Sequence, residues 1–127
     1  MYYADLTDFE YNTFYTGLNV GWLDGEHEFE TKKPTSAFIN ALFAVIASGQ
    51  FSRCAAAGLH SCEICGDREN MAERKGEAIC LGNTEIAIPF EGVDYIAPSL
   101  VFHYVDAHSY LPPKPFVRGV IEAAKKL

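Results

Sequence analysis

The sequence predicts an α+β domain in which about three helices pack on a small antiparallel sheet. Three observations lead there. The stretch "PTSAFINALFAVIASG" places Phe38, Ile39, Leu42, Phe43 and Ile46 on one helical face. Short runs of strand-forming residues, "EAICL", "TEIAIPF" and "GVDYIA", are parted by glycine, asparagine and glutamate. Two further helical segments, "APSLVFHYVDAH" and "FVRGVIEAAKKL", are divided by "YLPPKP", whose prolines hold the backbone extended. With 127 residues, 49% of them hydrophobic, the chain is expected to form a single domain, 1–127, around one core.

The elements follow in order. The N-terminal stretch mixes aromatic and acidic side chains. "LNVGWL" reads as a short strand running into an Asp-Gly turn at Asp24–Gly25, with Trp22 anchoring that turn to the core. Thr35 or Ser36 caps the first helix, and Gly49 ends it. From Ala55 to Gly76 the chain offers little to bury besides Ile64 and Met71, so "GDRENMAERKGE" reads as a solvated loop or a frayed helical turn. "EAICL" and "TEIAIPF" flank Gly82–Asn83, the expected turn of a β-hairpin, and "GVDYIA" adds a further strand. Pro98 fits the first turn of the second helix, where Leu100, Val101, Tyr104 and Val105 form an apolar stripe. The final helix carries lysines in its last turn, where the helix dipole favours them.

Charge narrows the function classes. Seventeen acidic against ten basic residues give a net charge of −7. That field repels nucleic-acid phosphates, and "TKKP" and "AAKKL" are too short to make a basic face. No apolar run is long enough to cross a membrane, and "MYYADLTDFEY" lacks the basic start of a signal peptide. A soluble, cytoplasmic domain is expected; the acidic balance suits a basic protein partner, but negative charge also simply keeps a domain soluble, and that plainer reading is favoured.

Four cysteines stand at positions 54, 62, 65 and 80. In a chain read as leaderless, thiols or metal ligands are expected rather than a disulfide framework. "LHSCEIC" sets Cys62 and Cys65 in a Cys-x-x-Cys turn, which can aim two thiolates at one tetrahedral zinc. His60 precedes them closely enough to join. His103, His108, Cys80, Cys54 and His27 are candidates for the distant ligands, and His103 is preferred because it lies well inside its helix. His103 and His108 are five positions apart, about 140° around an ideal helix, so both can serve only if the helix ends between them. A zinc knuckle, its metal drawn from His60, Cys62, Cys65, His103 and His108, would also explain how a segment with little to bury stays folded. The bland alternative is a pair of core thiols with packed or surface histidines, and a site made of all four cysteines is the other variant.

Competing chemistries fit less well. A thioredoxin-like pair needs a buried strand before the first cysteine, whereas "CAAAGLHS" is small and flexible. Haem attachment needs histidine where Gly66 stands, and a zinc deaminase needs proline where Ser61 stands. "GWLDGEHEFE" gathers Asp24, Glu26, His27, Glu28 and Glu30, which reads as an exposed acidic turn rather than an acid–base cluster.

Taken together, "VGWLDGEHEF", "GLHSCEIC", "GNTEIAIP" and "YIAPSLVFHYVDAHSYLPPKPF" resemble a family of small bacterial proteins of unknown function. Its members share a Gly-Trp-Leu-Asp segment, a His-x-Cys-x-x-Cys element and an Ala-Pro…His-Tyr…His-x-Tyr-x-Pro-Pro tail. The matching positions are Trp22, Asp24, His27, His60, Cys62, Cys65, His103, His108, Tyr110, Pro112 and Pro113. The resemblance covers roughly residues 20–121 and leaves the N-terminal aromatic stretch outside. It implies a bacterial source and supports a metal site, and it supplies no activity.

Two functions remain in view. One is a zinc-stabilised, non-catalytic module that binds another protein, as an inhibitor or immunity protein binds a basic toxin. The other is a small metal-dependent hydrolase with water in an open position and Glu63 or Glu85 as its base.

Overall fold

The computed structural model describes residues 2–9, 16–55, 61–66 and 71–127. Among these residues the helices are α1 (Ser36–Ser48), α2 (Val101–His108) and α3 (Lys114–Lys125). The strands are β1 (Leu18–Asn19), β2 (Ser52–Ala55), β3 (Met71–Arg74), β4 (Glu77–Cys80), β5 (Thr84–Phe90) and β6 (Val93–Pro98). The α+β class holds. The main sheet runs β1-β6-β5-β2, and β3 and β4 form a separate ladder. Because β1 lies parallel to β6, the main sheet is mixed rather than purely antiparallel.

The N-terminal segment extends this sheet. Leu6 N–H donates to the Asn19 carbonyl (2.7 Å), Asn19 N–H to that of Thr7 (2.7 Å), and Phe9 N–H to that of Gly17 (2.9 Å). Asp5 then ties this edge to the far end of the chain. Its carboxylate accepts from the Gly21 amide (3.0 Å) and from the Tyr110 hydroxyl (2.7 Å).

Strand alternation sorts the two faces of the sheet. Ile86, Ile88, Tyr95 and Ala97 point into the main core with the buried faces of the three helices. Ala87 and Ile96 point the other way, under Phe9 and Trp22. Trp22 also donates its indole N–H to the Ile96 carbonyl (3.0 Å), so it is fixed to the sheet on the face away from the main core. The α1 caps are as read: Thr35 accepts from the Phe38 amide (3.1 Å), and Gly49 closes the helix at φ 72°.

Three local expectations need correction. Gly82–Asn83 is not a hairpin turn, since β4 pairs with β3 while β5 pairs with β2 and β6. The Gly82 amide instead donates to the buried Ser99 hydroxyl (2.9 Å) where the chain passes from one ladder to the other. The true hairpin loops are Lys75–Gly76 (φ 52° and 82°) and Glu91–Gly92 (φ 50° and 82°). Two left-handed residues give a two-residue loop the twist that matches its strands. The segment read as a solvated loop therefore holds β3, which Ala72 and Ile79 seat against the core and Arg74 ties to Asn40 on α1 (2.8 Å). Lastly, Pro98 ends β6 opposite Glu85 rather than opening α2. The apolar stripe of that helix is as expected, with Leu100, Val101, Tyr104 and Val105 all buried.

Candidate metal centre

Cys62 and Cys65 sit on a tight turn beside α2. The Gly66 amide donates to the Cys62 carbonyl (3.0 Å), and Gly66 takes φ 71°, a conformation glycine adopts without steric cost. Ile64 packs against the main core and so pins the turn from below. Burial pushes the Cys62 thiol up, while the Ile64 and Cys65 amides directed at its sulfur act the other way; the net shift is upward. Such amide donors are the outer partners that suit a metal-bound thiolate.

Across from the turn, α2 presents both histidines. Cys62 Sγ lies 3.4 Å from His108 Nε2, and Cys65 Sγ lies 3.5 Å from His103 Nε2. The two imidazole rings have centroids 5.1 Å apart and planes at 75°. One ligand atom from each of the four residues falls within 4.8 Å of all the others. Cys62 is buried, His103 and His108 are half-buried and Cys65 is exposed, so the cluster lies at the surface with one side inward.

The sulfur–nitrogen spacing is compatible with a metal site. Zinc bonds of about 2.3 Å to sulfur and about 2.0–2.1 Å to nitrogen, at the tetrahedral angle, set sulfur and nitrogen about 3.5 Å apart. The two measured separations match that edge. A thiol–imidazole hydrogen bond has a similar length, but two isolated bonds do not require all four donor atoms to converge.

The structure brings together four of the five predicted ligands, and it changes the choice between the histidines. Neither is preferred: both reach the cysteines, although α2 runs unbroken from Val101 to His108 and ends only at Ser109, φ 55°. Both side chains reach the cysteine turn from one continuous helix. Wheel angles place Cβ atoms, and the imidazole arms close the remaining gap from either side. His60 falls outside the described residues, as does the Cys54 side chain. Cys80 is exposed and stands apart from the cluster, with its thiol 3.8 Å from the Leu81 carbonyl. His27 also stands apart, held by the Asp24 carboxylate (2.9 Å) and stacked on Tyr2 with centroids 3.8 Å apart.

One contact escaped the sequence reading. A Cβ on Gly25 would lie 3.0 Å from the Glu63 carbonyl oxygen, so the Asp-Gly turn supports the cysteine turn from outside. Asp24 holds that support in shape by accepting from the amides of Glu26 (3.1 Å) and His27 (2.9 Å). From the sequence, Gly25 reads only as a turn residue.

A small α+β domain with a two-cysteine, two-histidine cluster able to hold a metal ion is therefore the class of protein defined here. The chain belongs to a domain family of unknown function (DUF7919), whose model matches residues 1–121. The match starts at Met1, so it includes the N-terminal aromatic stretch that Asp5 ties to Tyr110. No curated protein and no solved structure matches the chain. No helix among the described residues is long and apolar enough to cross a membrane.

Proposed function

We propose that this chain is a zinc-stabilised, non-catalytic domain that acts by binding another protein. The paired sulfur–nitrogen separations of 3.4 and 3.5 Å carry the metal half of this reading. Two thiolates with two imidazoles in a tetrahedral arrangement are the donor set of structural zinc. When bound, zinc supplies folding energy, roughly 10–16 kcal/mol in apparent terms for small structural sites. Cys62 and Cys65 on the turn, with His103 and His108 on α2, would hold the ion, and its binding energy would then join these two elements. The binding half rests on the acidic balance of the chain, net charge −7, which favours a basic partner.

The alternative is a metal-dependent hydrolase. It needs one of the four donors to yield its place to water, with Glu63, exposed between the two cysteines, as the nearest carboxylate in sequence. Glu85 is the other candidate base; it lies on β5 opposite Pro98, and burial pushes its carboxyl up. Four candidate donors within 4.8 Å of one another, enough for a four-coordinate ion without water, favour the closed, structural reading.

The test is elemental analysis of protein purified without chelators or a metal-affinity tag. The proposal expects about one zinc per chain, lost in Cys62→Ser, Cys65→Ser, His103→Ala and His108→Ala alike. A folded, monodisperse wild type containing no metal would refute it.

A further inference from the structure

Between the N-terminal segment and residues 28–31 lies a cleft of about 420 Å3 that shares no residue with the cysteine–histidine cluster. Three aromatic rings line it (Tyr2, Tyr3 and Phe29), along with the carboxylates Asp5, Glu28 and Glu30. No lysine, arginine or histidine is among the described residues that line it.

The walls are fixed before any ligand arrives. Tyr2 lies flat on His27 with planes 6° apart, Tyr3 meets Trp22 edge-on at 5.5 Å, and Phe29 meets Tyr110 at 6.0 Å. Asp5 is held from two sides by the Gly21 amide and the Tyr110 hydroxyl. The opposite wall is tied down through its backbone, since Leu111 N–H donates to the Glu30 carbonyl (2.9 Å) and Lys32 N–H to that of Ser109 (2.8 Å). Little backbone freedom therefore remains to be lost on that wall, while the exposed Glu28 and Glu30 side chains are left to order on binding.

Aromatic faces together with carboxylates are complementary to an organic cation. Aromatic rings attract a cation electrostatically, the carboxylates neutralise its charge, and the apolar part of the lining suits the alkyl stem. An anion would be repelled, and a small hydrated metal ion would gain nothing from three rings. The volume is at the lower end of ligand pockets, about 300–1,000 Å3, which is room for one long side chain. We infer that this cleft binds an ammonium or guanidinium group, as carried by a lysine or arginine side chain. The inference rests on the protein-binding reading above only for the source of that group, and the cation chemistry stands without it.

The test uses the full-length, metal-loaded chain without an N-terminal tag, followed by the aromatic NMR signals of Tyr2, Tyr3 and Phe29. The probes are N-acetyl-arginine amide, its neutral analogue N-acetyl-citrulline amide, and a short peptide of alternating alanine and arginine. Saturable shifts with the arginine amide, absent with the citrulline amide and weakened about tenfold in Glu28→Gln/Glu30→Gln, are expected. Glu26→Gln, outside the cleft, should leave them unchanged. A peptide that binds at least about tenfold more tightly than the amide identifies a protein partner as the source of the cation. Equal affinities identify a free amine, which supports the cleft while removing support from the protein-binding reading. Equal response to citrulline, no saturable shift with either arginine probe, or shifts confined to other residues would overturn the inference.

Discussion

Gly25 faces the backbone of Glu63 with no room for a side chain: a Cβ added to Gly25 would lie 3.0 Å from the Glu63 carbonyl oxygen. That contact joins the Asp-Gly turn to the cysteine turn, although neither Gly25 nor Glu63 supplies a ligand atom to the cluster of four. Gly25→Ala should push the turn by a few tenths of an ångström and loosen the metal site. Zinc affinity, measured by competition with a chromophoric chelator, should fall about tenfold, while the zinc-loaded fold persists. Unchanged affinity would mean that the cysteine turn positions itself.

Zinc binding should release protons. Burial holds the Cys62 thiol above its ordinary value of 9.0, so at neutral pH it is protonated in the free protein and must ionise to bind. Affinity should therefore rise with pH through neutrality, by about tenfold per unit for each thiol proton released. Calorimetry in buffers of different ionisation enthalpy should count about two protons per zinc. A pH-independent affinity would argue against thiolate ligation.

Asp24 predicts a different pH window. Burial works to raise its carboxyl, but the hydrogen bonds from the His27 ring and from the His27 and Glu26 amides outweigh it, and the net shift is downward from 3.8. A depressed carboxylate stabilises the fold fully above its unfolded value and loses that contribution as the pH falls through its folded value. Acid unfolding followed by circular dichroism should therefore show a shallower limb below about pH 4 in Asp24→Asn than in wild type.

The Tyr110 hydroxyl donates to Asp5 and bridges the chain's N-terminal segment to the residue that follows Ser109 (2.7 Å). Tyr110→Phe keeps the ring, which is buried and packed on Phe29, and removes only that bond. Because Asp5 is exposed to water, the loss should be modest, about 1 kcal/mol in a chemical denaturation curve.

Gly119 packs α3 on β5. A Cβ there would sit 2.8 Å from Ile88 Cγ2 and 3.2 Å from Phe90 Cβ. Alanine normally favours a helix over glycine by about 1 kcal/mol. Overpacking at such distances costs about 1–3 kcal/mol, so Gly119→Ala should lower the melting temperature rather than raise it.

The helices were the most legible part of the chain. Caps such as Thr35 and Gly49, and stripes such as Leu100 to Val105, are local and act through residues close in sequence. Sheet pairing was less so, because "GN" between two strand-like runs looks like a hairpin turn while the partner of β4 lies upstream in a segment rich in charge. The parallel β1–β6 pair joins residues far apart in sequence, and nothing local announces it. Cys62 and Cys65 were legible from their spacing. The pairing of each with its own histidine depended on side-chain reach, which a helical wheel does not describe. Gly25 read as a turn residue because its second task, close approach to Glu63, exists only in the folded chain.

The most direct test is X-ray absorption at the zinc edge of the metal-loaded protein. A closed, structural site held by Cys62, Cys65, His103 and His108 predicts two sulfur scatterers at about 2.3 Å and two imidazole nitrogens at about 2.0–2.1 Å, with no oxygen in the first shell. An oxygen at about 2.0 Å in place of a nitrogen or sulfur, or fewer than two sulfurs, would contradict the account and favour the open, hydrolytic site instead.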